Sequence, residues 1–174
     1  LQERGITKEM LPEITLTFAS SSVASRNSGL AQAIQQQWRK AFGIVVNLEG
    51  VEGKVFFQKI GQQDYQMSMG SWYADVSDPV DFLRVFKFKN GSTNNTGWEN
   101  DAYIRILDES DQELDAQKRE ELLFFAEEIL MNEMPMAPIY FSSSLYLKSL
   151  RLKDVYLSDL QHIDFKWAKI QDRR

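Results

Sequence analysis

The chain has 174 residues, of which 43% are hydrophobic and 26% charged, which is ordinary for a globular protein able to bury a core. Its formal net charge of −5 and the lack of a basic run argue against nucleic acid as a partner, and no apolar stretch reaches bilayer-spanning length. Zero cysteines exclude disulfides and thiolate sites, and the single histidine, His162, argues against a histidine-based metal site or catalytic triad. We therefore expect no cofactor and no metal.

The first half of the chain predicts strands that alternate with helices. Residues 1–12 are predicted to be the end of a helix and a turn, with Pro12 as a break. Alternating apolar residues then predict strands, and helical spacing predicts helices between them. In order, the predicted elements are strand 14–18, helix 28–42 capped by Ser28 and closed by Gly43, strand 44–49, helix 54–62 and strand 65–71. Such a series favours a layered α/β fold with a largely parallel central sheet flanked by helices.

The second half predicts mostly helices and loops. The predicted elements are helix 80–86, loop 89–97, helices 100–110 and 115–132, strand 137–142, an extended stretch 145–152, and a tail whose residues 169–174 are disordered. The apolar stripe of helix 115–132 is predicted to be Leu122, Phe125, Ala126, Ile129 and Leu130. We expect strands 14–18, 44–49, 65–71 and 137–142 to share one sheet, with helices 28–42 and 115–132 packed on it.

A polar segment follows the third predicted strand and contains the most informative residues of the chain. Asp78 followed by Pro79 is typical of a helix N-cap and first helical position, so Asp78 has a structural role. Asp75 has no such role and is flanked by Trp72 and Tyr73. A carboxylate beside two aromatic rings is suited to an ammonium group, through ion pairing and cation–π attraction. The alternative, a solvated turn with Trp72 in the core, is equally compatible with the pattern.

The same acidic segment raises the question of catalysis. A glycosidase needs two carboxyl groups held across a sugar, one with a raised pKa. Asp78 is better explained as a cap, and Asp81 is expected on the exposed side of the following helix. We therefore expect no catalytic residue and no enzyme. Further along, Trp98 lies in a polar loop, where it is either a pocket wall or an anchor for the loop; the sequence leaves both open.

Three segments, taken in order, resemble a known family. They are Trp72-x-x-Asp75 with Asp78-Pro79, then Asn94-Asn95-Thr96-Gly97-Trp98 with Asn100-Asp101-Ala102-Tyr103, and then the helix from Lys118 to Leu130 followed by Met134-Pro135-Met136-Ala137-Pro138-Ile139-Tyr140. Each motif alone is weak, but the ordered set resembles the C-terminal lobe of the oligopeptide/dipeptide-binding proteins, the extracytoplasmic solute receptors of ABC importers. The resemblance covers nearly the whole chain.

The resemblance implies a site and an assembly. The acid of the Trp-x-x-Asp loop, here Asp75, would pair with the free α-amino group of a short peptide. The backbone around Trp72, Tyr73 and Ala74 would bind the ligand main chain, and Asn94 and Trp98 would lie near the same cleft. Residues 1–159 would form one ligand-binding lobe of a two-lobe receptor, and the tail 160–174 would return to the other, larger lobe.

The resemblance also implies partners and a location. These are a peptide ligand, the other lobe and a membrane permease, in a periplasmic or extracytoplasmic protein that a lipid on a preceding segment could anchor. Because the chain begins at Leu1 and not at methionine, we expect a mature product or a piece of a longer protein. The alternatives left open are a receptor of the same fold for a non-peptide solute, such as a sugar, metal chelate or opine, and an interaction module without a small ligand or a hydrolase built on the acidic loop.

Overall fold

A computed structural model describes residues 11–20, 25–143, 145–158, 160 and 162–171. The predictions for residues 1–10 and for the last three residues of the tail lie outside this part. The chain divides into two compact units, Leu1–Ser71 and Trp72–Arg174. The elements of the first are β1 (Ile14–Ala19), α1 (Ser25–Phe42), β2 (Val46–Val51), α2 (Gly53–Gly61) and β3 (Met67–Met69). Those of the second are α3 (Val80–Arg84), α4 (Asp101–Gln112), α5 (Ala116–Glu133), β4 (Leu152–Lys153), β5 (Tyr156–Leu157), β6 (Ile163–Asp164) and β7 (Lys169–Ile170).

The first unit is built on a three-stranded parallel sheet with the order β2-β1-β3. β1 lies in the centre, so that Leu16 is in register with Leu48 on one side and Met67 on the other. The alternation along β1 sends Leu16 and Phe18 to one face, and there they form a core with residues of α1. That core consists of Leu16, Phe18, Ala31, Val46 and Met69, with Leu30, Ile34 and Trp38 packed against it.

The opposite face of the sheet carries polar groups and contacts α2. Thr17 is almost completely buried, and its hydroxyl donates a 2.7 Å hydrogen bond to Glu49 of β2. Lys59 of α2 lies 3.4 Å from the same carboxylate. Helices therefore flank both faces, as right-handed crossovers require when the strand order reverses at β1. The predicted layered α/β fold with a parallel sheet is confirmed.

The second unit has a core made from three helices. α5 packs against α4 and α3, and the buried residues are Val80, Leu83, Tyr103, Leu107, Leu123, Ala126 and Leu130. The predicted helices 100–110 and 115–132 are confirmed, each with its N-cap, Asn100 or Asp115, accepting two backbone N–H groups of the first turn. The predicted stripe of α5 was only partly right, because Leu123 is buried and Phe125 is about half exposed.

Several predictions about pairing and boundaries were wrong. Residues 137–142 form no strand, and α5 contributes its buried side chains to the helical core of the second unit and not to the core of the sheet. Pro138 has no backbone N–H and so removes one ladder donor from this stretch. α1 begins at Ser25 instead of being capped by Ser28, because a serine-rich stretch offers several possible starts. The predicted closure of α1 by Gly43 is confirmed, since it has a φ of 66° and donates to the Arg39 carbonyl.

The C-terminal part of the second unit contains short antiparallel pairs. β4 pairs with β7, and β5 pairs with β6. The Arg151 side chain donates a 2.8 Å hydrogen bond to the Gln171 carbonyl, which reinforces the first pair. The predicted disorder of residues 169–174 is therefore wrong for Lys169 and Ile170. The predicted extended stretch 145–152 contains only the first residue of β4 in a strand, among its described residues.

Candidate functional site

The loop after β3 is closed by the carboxylate of Asp81. One oxygen of this side chain, Oδ2, accepts a hydrogen bond from the indole N–H of Trp72 at 3.2 Å and another from the backbone N–H of Asp75 at 3.0 Å. The sequence predicts Asp81 on the exposed side of α3, and the side chain is indeed partly exposed, but the two hydrogen bonds that it accepts from the loop were not predicted. Asp81 is the third residue after the cap Asp78, a position from which an acidic side chain commonly reaches back over the helix start. That spacing was the available signal.

Asp78 accepts the first backbone N–H of α3, which is the predicted capping bond, although the helix begins at Val80 and Pro79 occupies the N-cap position. Asp78 also joins α3 to α5. Its Oδ1 accepts the backbone N–H of Val80 at 2.9 Å, and its Oδ2 lies 2.9 Å from the guanidinium of Arg119. The hydrogen bond from Val80, and then the bond and charge of Arg119, hold the pKa of Asp78 below its usual range despite partial burial. The link to Arg119 was not predicted, because ion pairs between distant segments leave no local pattern.

Asp75 differs from Asp78 and Asp81 in its contacts. Its side chain is exposed, and no described residue donates a hydrogen bond to its carboxylate or forms an ion pair with it. Trp72 and Tyr73, which precede it, are 39% and 68% exposed. The alternative that Trp72 is a core residue is therefore wrong, since its ring lies outside both cores and its N–H is held by Asp81. The loop presents one carboxylate without a described partner beside two exposed aromatic rings.

The backbone of the same loop is open as well. Among the described residues, no hydrogen bond involves the main chain of Trp72, Tyr73 or Ala74. Residues 72–74 belong to no helix or strand, and Ala74 is partly buried. Unpaired main-chain groups in an extended segment can pair with another extended chain, as at the edge of a sheet.

Asn94 organises its own loop. The side chain is 3% exposed, and its Nδ2 donates to the carbonyls of Phe86 at 3.3 Å and Trp98 at 2.9 Å. Its Oδ1 accepts the backbone N–H of Thr96 at 3.1 Å and the Thr96 hydroxyl at 2.7 Å. All the polar atoms of the Asn94 side chain are thus used inside the loop.

Trp98 anchors this loop to the helical core. Its indole N–H donates a 2.6 Å hydrogen bond to Glu133 at the end of α5, and its ring meets Tyr103 edge-on at 5.0 Å. Glu133 also accepts a 2.6 Å bond from Asn100. The sequence left open whether Trp98 is a pocket wall or an anchor for its loop, and the structure shows the anchoring contact.

The described residues offer neither a metal site nor a membrane-spanning helix. No group of three or more acidic, histidine or cysteine side chains in this part of the chain is placed to hold a metal ion. No helix within the same part combines the length and the apolar character that crossing a bilayer requires. His162 lies in the C-terminal pairs, and its backbone N–H donates to the Ser158 hydroxyl.

The chain thus combines an α/β unit on a parallel sheet with a segment that carries three aspartates and two exposed aromatic rings. Residues 1–94 match the family described as bacterial extracellular solute-binding proteins, family 5, middle region. The chain is 38% identical over 169 residues to the oligopeptide-binding protein OppA of Bacillus subtilis, covering 97% of this chain and 30% of that protein. The chain belongs to this solute-binding family, and the predicted resemblance is confirmed.

Two further comparisons mark the range of this family. The chain is 33% identical over 118 residues to a protein of Escherichia coli named as a probable deoxycholate-binding periplasmic protein, covering 67% of this chain and 22% of that protein. It superposes with a TM-score of 0.76 and 26% identity on the substrate-binding domain of an oligopeptide ABC transporter from Bacillus anthracis, over 98% of this chain and 33% of that one. The chain thus spans about a third or less of the length of these proteins.

Proposed function

We propose that this chain is part of a solute receptor of an ABC importer and that its ligand is a short peptide whose α-ammonium group pairs with Asp75. The observation that carries the proposal is the division of roles among three neighbouring carboxylates. Asp78 is used by Val80 and Arg119, and Asp81 by Trp72 and Asp75 itself. Among the described contacts, both oxygens of Asp78 and one oxygen of Asp81 are used, whereas neither oxygen of Asp75 has a partner.

The chemistry around Asp75 favours a peptide amino terminus over other cations. An ammonium group gains a charge-assisted hydrogen bond from the carboxylate, and Trp72 and Tyr73 supply ring faces and apolar area. The unpaired main chain of residues 72–74 would bind the first peptide groups of the ligand in the manner of an added strand. The names of the B. subtilis relative and the B. anthracis transporter agree with this ligand class.

Asn94 and Trp98 would contribute indirectly. Their polar atoms are occupied within the second unit, so neither has a hydrogen bond left for a ligand main chain. Trp98 is only partly buried, and its ring is the part available for contact. We propose that the loop from Asn94 to Trp98 forms part of the cleft wall through its shape.

The assembly proposed from the sequence gains support from the C-terminal part. In that assembly, residues 1–159 would form one lobe, and residues 160–174 would return to a second lobe supplied by the rest of the receptor. Large apolar side chains in the described part of this tail, Ile163, Phe165, Trp167 and Ile170, are between 41% and 71% exposed. Burial against a second lobe would remove them from water. The complete receptor would act outside the cytoplasm, held at the membrane by a lipid, and deliver peptide to a membrane permease.

Binding of the amino terminus can be tested by removing one charge. In the complete receptor, Asp75→Asn keeps the shape of the side chain but leaves the ligand ammonium unpaired. Truncating one member of a desolvated pair typically costs about 2–5 kcal/mol, which is roughly thirty- to several-thousand-fold in affinity. Calorimetry should therefore show this loss for a free tripeptide. The N-acetylated tripeptide should bind weakly to the unaltered receptor and lose little more in the variant.

Asp78→Asn is the matched control, because it removes an equal charge three residues away. Asparagine caps a helix about as well as aspartate, so α3 should begin at the same residue and the affinity should change less than about threefold. Equal losses in Asp75→Asn and Asp78→Asn would mean that the wrong carboxylate has been assigned. Full-strength binding of the acetylated tripeptide would mean that the ammonium is not recognised.

A non-peptide solute is the second candidate, and the similarity to the E. coli protein named for deoxycholate favours it. A bile acid carries a carboxylate and no ammonium, so Asp75 would repel it and the exposed rings would have to supply the affinity. If this candidate is right, deoxycholate should bind more tightly than any peptide, and Asp75→Asn should strengthen that binding.

A hydrolase is disfavoured by the same loop. Glycoside hydrolysis needs two carboxyl groups free to act across the substrate. Two of the three carboxylates here already accept hydrogen bonds from the loop or from the start of α3. We propose that the site binds its ligand without reacting with it.

A further inference from the structure

The side chain of Asp81 holds together the two groups that a ligand ammonium would meet. A single oxygen accepts both the Trp72 indole N–H and the Asp75 backbone N–H. The first bond fixes the plane of an exposed aromatic ring, and the second fixes the main chain from which the free carboxylate projects. Hydrogen bonds to a charged acceptor are about twice as strong as neutral ones, so this closure is firm for an exposed loop.

The backbone of Asp81 is itself held in place. Its backbone N–H donates to the carbonyl of Asp78 at 3.1 Å, in the first turn of α3. Val80 and Leu83 of the same turn are buried in the helical core, and Asp78 is bound to Arg119 of α5. The position of the Asp81 carboxylate is therefore set by the core of the second unit and transmitted to the loop.

We infer that Asp81 is a positioning residue that sets how strongly the receptor discriminates a free from a blocked peptide amino terminus. The inference rests on the proposed function of Asp75. Asp81 acts by fixing Trp72 and Asp75 in one arrangement, and its own carboxylate does not bind the ligand. Its influence is largest for ligands that carry the ammonium group, because only these use the Asp75 carboxylate.

Two substitutions separate positioning from direct charge recognition. Asp81→Ala removes the acceptor. Asp81→Asn removes the charge but keeps an oxygen, and since both hydrogen bonds go to one oxygen, an amide oxygen can accept both. A positioning role predicts that asparagine largely restores what alanine loses. A charge that met the ammonium directly would make the two variants equally weak.

The experiment measures the ratio of dissociation constants for N-acetylated and free tripeptide in the complete receptor. In Asp81→Ala this ratio should fall about tenfold or more, from the loss of two charge-assisted hydrogen bonds. In Asp81→Asn it should stay within about threefold of the unaltered receptor. Asp111→Ala is the matched control, because it removes the ion pair to Arg84 of α3 without touching the loop, and the ratio should not change.

The indole N–H resonance of Trp72 in an ¹H–¹⁵N spectrum gives a readout independent of the ligand. It should move upfield in Asp81→Ala and stay close to its original position in Asp81→Asn. Equal weakening of free and acetylated tripeptide by Asp81→Ala, or an Asp81→Asn variant as weak as the alanine variant, overturns the inference. If the unaltered receptor does not discriminate the two peptides, the ligand assignment fails, and the inference fails with it even where the indole resonance moves as expected.

Discussion

Tyr103 is the largest fully buried side chain of the second unit, and its hydroxyl donates a 2.7 Å bond to the Leu83 carbonyl. Burial, and then the negative charge of Glu127, raise the pKa of this hydroxyl well above its ordinary value. The folded protein therefore keeps a proton that an unfolded tyrosine loses above about pH 10. The stability that this group contributes is fully present below that pH and is lost as the pH rises towards the folded-state pKa.

Tyr103→Phe should remove this pH dependence. Near pH 7 the variant should lose about 0.5–1.5 kcal/mol, because one hydrogen bond is removed while the Leu83 carbonyl still accepts the backbone N–H of Phe86. Between about pH 9 and 11 the free energy of unfolding of the unaltered protein should fall more steeply than that of the variant. Urea denaturation across this pH range measures how steeply the free energy of unfolding of each protein changes with pH. Tyr73→Phe, which alters an exposed tyrosine, is the control. Parallel slopes would contradict the predicted burial of the hydroxyl proton.

At the scale of single residues, the sequence predicted the capping bond of Asp78 and singled out Asp75, whose role stays a prediction. Asp78 was recognisable because capping is local and Pro79 follows it, and Asp75 was notable because no local role accounts for it. Asp81 was missed because its partners lie six and nine residues back, beyond the spacing of any regular element. Whether an acidic residue on a short helix points outwards or back over the loop depends on the path of that loop, which the sequence does not specify.

At the level of elements, the link between α3 and α5 depends on Asp78. Its depressed pKa means that its contribution to stability is present above its unfolded-state pKa, near 4, and is lost as the pH falls through the lower folded-state value. Asp78→Asn keeps the cap and loses the Arg119 pair, which costs about 0–1 kcal/mol because both groups are roughly a third exposed. Asp78→Ala loses the cap as well, for a further cost of about 0.5–2 kcal/mol.

Denaturation of the three proteins at pH 7 and pH 3 would measure these differences. The difference in free energy of unfolding between the unaltered protein and Asp78→Asn should narrow at pH 3, because Asp78 binds a proton more readily in the unfolded chain than in the folded protein, where its pKa is lowered. An alanine variant no less stable than the asparagine variant would show that the bond to Val80 contributes nothing.

Elements that depend only on local pattern were predictable, and those that depend on a distant partner were not. The helices and the three parallel strands follow from periodicity and caps. The phase of α5 was ambiguous because Leu122, Leu123, Phe124 and Phe125 are consecutive, so periodicity alone does not choose the buried face. Residues 137–142 have the composition of a strand, but a strand needs a neighbour to pair with, and no described segment pairs with them.

For the whole molecule, the C-terminal part leaves much apolar surface in contact with water. Phe141 and Leu145 are 98% and 97% exposed, and others between Ile139 and Ile170 are more than half exposed. The chain also spans only about 30% of the length of its B. subtilis relative. We therefore expect the 174 residues alone to bind peptides poorly, because a carboxylate that stays in water gains only about 0–1 kcal/mol from an ion pair.

Calorimetry on the isolated 174 residues would test this expectation, with the complete receptor measured alongside. Binding weaker than micromolar in the isolated chain and tighter binding in the complete receptor would support a cleft shared with a second lobe. Micromolar or tighter binding by the 174 residues alone would show that their site is self-sufficient.

The closure of the loop by Asp81 has a consequence for the entropy of binding. A segment that orders only when its ligand arrives loses about 1–2 kcal/mol of conformational freedom per residue at that moment. Between Trp72 and Asp81, hydrogen bonds to the α3 turn restrict the chain before any ligand is present. The ordering cost of this segment therefore falls on folding, and under the proposed function most of the interaction free energy of Asp75 would remain for affinity and for distinguishing one amino terminus from another.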